Sequence, residues 1–175
     1  MTSSIQNRVA KMRIRFLLLS LLAAVLLSAS PASAHSLVVF NGSLQGTESD
    51  TPQGGPPPTT LVATGSLPGL ATLFGQFTFN YTLTVILTTT PETAAGSGTL
   101  ITTDGDRIFT DIKGLSMQAT TTTGISLITE LNTITGGTGQ FAGAKGFFIV
   151  ERLANLPPGT GLTSGAFHGT IVLQK

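Results

Sequence analysis

Phe77, Phe79, Tyr81, Leu83, Val85 and Leu87 alternate with Gln76, Thr78, Asn80, Thr82 and Thr84. A period of two over that length predicts a strand across residues 75–87, with one face buried and the other wet. Similar runs recur along the chain between glycine- and proline-bearing turns. They predict strands over residues 36–45, 61–73 (broken at Pro68-Gly69), 98–103, 107–118, 125–135, 144–153 and 166–173. Asp104-Gly105 is a favoured two-residue hairpin turn, and Asp104 and Asp106 are read as turn residues rather than calcium ligands. Residues 47–58 contain no apolar residue and four prolines, so they read as a long exposed loop; residues 88–97, 120–124 and 155–161 read as further loops. Beyond residue 34 no segment has helical periodicity. The pattern predicts an all-β fold, an antiparallel closed β-barrel of about eight strands. Phe77, Phe79, Tyr81, Leu83 and Phe109 are the expected lining of its interior.

The first 34 residues follow a different logic. Arg8, Lys11, Arg13 and Arg15 precede an apolar run from Phe16 to Leu27, and Ala32-Ser-Ala34 supplies small residues. This is the pattern of a signal peptide cleaved near Ala34, which predicts a secreted or periplasmic protein with no membrane segment after cleavage. Residues 35–175 then form a single barrel domain. Four of the nine basic residues lie in the leader and all eight acids lie beyond it, so the remainder carries five bases, eight acids and a formal charge of −3. A mildly acidic chain without a basic cluster argues against nucleic acid as a partner. With no cysteine, the exported domain must be held by its core alone.

Thr135-Gly-Gly-Thr-Gly-Gln-Phe-Ala-Gly-Ala-Lys-Gly146 is the densest glycine stretch, and an apolar run, Phe147-Phe-Ile-Val150, follows it. Gly136, Gly137, Gly139, Gly143 and Gly146 predict a tight corner, around which the barrel is expected to close. Gly137-Thr-Gly139-Gln-Phe-Ala142 loosely matches a dinucleotide fingerprint, but no helix or ribose-binding acid follows it. The corner resembles the glycine turn of plant allene oxide cyclases and, more loosely, that of dirigent proteins. The resemblance implies a calycin-type eight-stranded barrel with an apolar cavity, commonly trimeric, such as also occurs in secreted bacterial proteins without an established activity. Phe147 and Ile149 point one way along the next strand and Phe148 and Val150 the other. Both faces are apolar, which suits a subunit contact in a homo-oligomer.

Candidate chemistry is sparse. A zinc site lacks ligands, a nucleophilic triad lacks its elbow, and no cofactor is expected. Arg107, Asp111, Lys113, Glu130, Glu151, Arg152 and His168 are ionisable residues within expected strands. Glu130 shares a face with Ser126, Ile128, Asn132 and Ile134, and His168 shares one with Ala166, Thr170 and Val172. These two are the catalytic candidates, because an ionisable group facing an apolar interior is suited to acid–base work. Three functions follow: binding of a small apolar molecule in the barrel; an isomerase or cyclase of the allene oxide cyclase or dirigent type, steering a reactive intermediate; or a non-catalytic structural or interaction protein. Catalysis has the least support from the residues.

Overall fold

The computed structural model describes residues 35–118, 124–155 and 160–174. The expected signal segment and most of the expected loops at 120–124 and 155–161 lie outside the described residues. Eight strands follow one another: β1 (His35–Gln53), β2 (Thr60–Ala71), β3 (Gly75–Ile86), β4 (Glu92–Thr102), β5 (Arg107–Gln118), β6 (Ile125–Gly137), β7 (Lys145–Asn155) and β8 (Thr160–Gln174). Each pairs antiparallel with the next, and β8 pairs with β1 from His35↔Gln174 to Ser49↔Thr160. The chain is an all-β, closed, eight-stranded antiparallel barrel. Closure leaves no unpaired sheet edge, which a cysteine-free domain would otherwise have to protect by other means.

The main departures from the sequence pattern lie at strand ends. Residues 47–53 belong to β1 rather than to a loop. Thr51, Pro52 and Gln53 pair only with β2, since the β8 pairing stops at Ser49, so the proline sits where its missing N–H costs nothing. β2 likewise runs unbroken through Pro68, which pairs with Thr78 on β3; the β1–β2 ladder has no pair opposite it between Leu44↔Gly69 and Thr47↔Ser66. β4 starts at Glu92, because Thr93–Gly96 find partners on both β3 and β5 although Ala94, Ala95 and Gly96 have weak strand propensity. β8 starts at Thr160 rather than at 166, because Thr160–Gly165 pair with β1, so Thr160 and Gly161 are strand and not loop.

The glycine corner joins β6 to β7, while the seam that closes the barrel lies between β1 and β8. Gly139, Gly143 and Gly146 have φ of +57°, +70° and +141°, which glycine alone adopts freely. A Cβ on Gly137 would strike the Arg107 carbonyl, whereas nothing in the structure requires glycine at Gly136. The Asp106 carboxylate accepts a hydrogen bond from the Gln140 N–H at 3.1 Å, tying the β4–β5 hairpin to the corner.

Period two sends Phe77, Phe79, Tyr81, Leu83 and Val85 inward as expected. The two ends of the barrel differ. At the end of the β2–β3, β4–β5 and β6–β7 turns, Phe40, Phe77, Phe148 and Phe167 interlock with Phe74 and Phe141, their ring centroids 5.5–6.1 Å apart and mostly edge to face. Each such pair adds about 0.5–1.5 kcal/mol to ordinary burial. That end is filled. On the outer surface, Met117, Leu127 and Leu153 form one cross-strand row over β5, β6 and β7. Phe147 is 45% exposed on the same side of the sheet.

Candidate functional site

The opposite end, where β1, β3 and β5 finish and β2, β4 and β6 begin, holds a pocket of about 300 Å³. Its walls are Leu61, Ala63, Leu83, Val85, Leu87, Ala94 and Ile128; its polar lining includes Glu48, Asp50, Glu92, Glu130 and Arg152. The volume lies at the lower limit for small-molecule pockets, and apolar walls with a few placed polar groups are their usual make-up.

Arg152 organises the floor. It comes inward from β7 between Val150 and Ala154, and it is 2% exposed, as are Glu48 and Glu130. Nε and Nη2 donate to the two Glu130 oxygens at 3.2 and 2.8 Å, a bidentate pairing. Nη1 reaches Glu48 Oε2 at 2.8 Å and Thr163 Oγ1 at 3.0 Å, and Thr163 donates in turn to the Leu153 carbonyl. The Tyr81 hydroxyl donates to Glu48 Oε2, and the Arg152 guanidinium lies 5.3 Å from the centre of the Tyr81 ring.

Neighbouring strands make room for these long side chains. Gly65 pairs with Glu48 on one side and Tyr81 on the other, and a Cβ there would overlap the Tyr81 ring. Gly165 lies beside Arg152, and Gly114 beside Glu130, in the same way. The tyrosine can therefore cross β2 to reach Glu48.

The network also sets the electrostatics. The carboxylates hold Arg152 firmly charged although burial opposes it. Burial, with the Glu48 charge nearby, pushes the Tyr81 phenol well above its ordinary range. Half-buried Asp50 is pushed up to about 6, chiefly by desolvation and then by Glu48, with Arg152 opposing. Its Oδ1 is shielded from solvent and has no hydrogen-bond partner among the described residues. A carboxyl that titrates near neutrality in a cleft is suited to proton transfer.

No family model matches the chain, and no curated protein matches it. Among solved structures, the chain is similar to that of the pterocarpan synthase dirigent protein GePTS1. The identity is 12%, the match covers 85% of this chain and 99% of that one, and the TM-score is 0.46. A likeness at this level carries none of that protein's site residues across.

The expected lining is divided by the register. Leu83 lines the pocket, and Tyr81 lies within its floor network through the bond to Glu48. Phe77 and Phe79 are buried among other rings and do not line it. Phe109 is 36% exposed on the outer face, because β5 turns Ile108, Thr110 and Ile112 inward. Of the two catalytic candidates, Glu130 reaches the pocket. His168 does not: its whole face, with Ala166, Thr170 and Val172, lies outside, while Phe167, Gly169 and Ile171 point in. Among the described residues no helix is long and apolar enough to cross a membrane, and no group of three His, Cys, Asp or Glu stands close enough to hold a metal.

Glu48, Asp50 and Glu92 escaped the sequence reading because they fell in expected loops. One signal pointed to the first two. The inward set of β1, Phe40, Gly42, Leu44 and Gly46, continues at period two to Glu48 and Asp50. The glycines within that run are also what a strand shows where another group approaches closely.

Proposed function

We propose that this protein is an exported binding protein that takes a small, largely apolar molecule into the open end of its barrel. The observation that carries this reading is the contrast between the two ends: rings pack one solid, while the other keeps a pocket with apolar walls over a pre-formed ionic floor. A floor already cross-bonded needs little reordering when a ligand enters, which preserves affinity. The neutral fluorophore N-phenyl-1-naphthylamine tests the reading. It should brighten with the purified barrel and lose that response in Ala63→Trp, which fills the pocket; an equal response in the variant would overturn it. Export by the leader fits the same reading, and intact-mass measurement of the secreted chain should find His35 at its start.

An isomerase of the allene oxide cyclase or dirigent type is the second reading. The observation favouring it is Asp50, an acid able to exchange a proton near neutral pH beside an apolar pocket. It requires a turnover that Asp50→Asn abolishes while the fluorophore still binds. The outer row of Met117, Leu127 and Leu153 further supports a homo-oligomer, in which an interaction role would reside.

A further inference from the structure

We infer that the ligand of this pocket is an apolar molecule bearing one positive charge, a protonated amine on an alkyl or aryl body. The inference rests on the pocket being a ligand site and concerns only what that site selects. The ionisable groups that reach the pocket or its floor are Glu48 and Asp50 from β1, Tyr81 from β3, Glu92 from β4, Glu130 from β6 and Arg152 from β7; among the described residues β2, β5 and β8 contribute none. One cation thus faces four carboxyls.

That cation is already engaged. Of the five guanidinium N–H groups, those on Nε, Nη1 and Nη2 make four contacts, with Glu130, Glu48 and Thr163. An anionic ligand would find little of the guanidinium to bind and would add negative charge where it is already in excess. Glu48 and Glu130, both almost wholly buried, share a single positive partner, so the floor carries a surplus negative charge where solvent screens poorly. Asp50 adds a shielded, unpartnered Oδ1, and neither Asp50 nor Glu92 has a salt bridge among the described residues.

An ammonium group would answer both features. It brings three N–H donors and one charge, and its body would cover the aliphatic walls. A neutral alcohol supplies a donor without the charge. A bare metal ion is a poor alternative, since the described acids form no metal-holding group.

The test is a matched set of probes on the barrel without its leader: octylamine, octanol and octanoate, titrated by calorimetry at low salt. Tyr81 is the single tyrosine and there is no tryptophan, so intrinsic fluorescence reports binding at this floor. Octylamine should bind about tenfold more tightly than octanol, a difference of about 1.4 kcal/mol, and octanoate more weakly than either. Asp50→Asn and Glu92→Gln, two variants at the less buried acids, should each shrink the amine preference. In the wild type the preference should grow as pH rises through about 6, where Asp50 ionises and the amine stays protonated. Equal or tighter binding of octanoate or octanol would overturn the charge assignment and leave the pocket standing. If none of the three probes binds, or none alters Tyr81 emission, the reading of the pocket falls along with its charge selectivity.

Discussion

Arg152 is the residue on which the pocket floor depends, because removing its charge strands two carboxylates that have no other salt-bridge partner among the described residues. Arg152→Met should destabilise the barrel by about 3–5 kcal/mol in urea unfolding, the usual cost of leaving buried charge unpaired. Replacing Glu48, Glu130 and Arg152 together by apolar residues of similar volume should cost much less, since the desolvation penalty of all three disappears with them. Asp50 has the opposite character: its folded-state carboxyl is pushed up to about 6 from an ordinary value of 3.8. The folded chain therefore binds this proton more tightly than the unfolded chain. Its contribution to stability grows as pH falls from about 6 towards 4 and is lost as pH rises through about 6. Asp50→Asn should flatten that part of the stability–pH profile and should unfold later than wild type at pH 8, as measured by parallel denaturant titrations. The carboxyl expected to do acid–base work was that of Glu130. Glu130 does reach the pocket, but its ion pair with Arg152 is diagonal, Arg152 lying opposite Ile128 and Glu130 opposite Val150, so it depends on the β6–β7 register, which near-neighbour patterning does not reveal.

At the scale of strands, the site is a product of register. Glu48, Gly65 and Tyr81 lie on three successive strands and meet because two ladders align them in one row. Gly65→Ala should push the Tyr81 ring away from Glu48, costing about 1–3 kcal/mol as overpacking does. It should also alter the tyrosine emission of the folded protein, which a substitution that only weakened the strand would leave unchanged. Most strands were visible in advance because period-two alternation is local: β3, β5 and β6 were legible nearly to their ends. The far end of β1 and the starts of β4 and β8 were not. Their outer halves are polar or built from small residues, and pairing with neighbours distant in sequence keeps them extended. Pro52 and Pro68 misled for the same reason, since a proline breaks a ladder only where its nitrogen would face a partner, and that is known only once the neighbours are in place.

For the whole molecule, closure turns eight strands into an inside and an outside, and that division decided most of the candidate residues. His168 and Phe109 went out, Glu130 and Arg152 went in, and Glu48 joined them from a segment that resembled a loop. The outer row of Met117, Leu127 and Leu153 gives the proposed homo-oligomer a specific contact: Leu127→Glu should lower the sedimentation coefficient towards that of a single chain while leaving the circular dichroism of the barrel intact. A wild-type protein that already sediments as a monomer at micromolar concentration would remove that proposal. By itself the sequence determined the all-β class, the approximate number of strands, the inward row of β3 and the position of the glycine corner, because each of these follows from the conformational preferences of near neighbours. The tertiary structure alone decided which end keeps a pocket, which acids share one arginine and where the barrel closes, because those outcomes depend on side chains brought together across strands far apart in the chain.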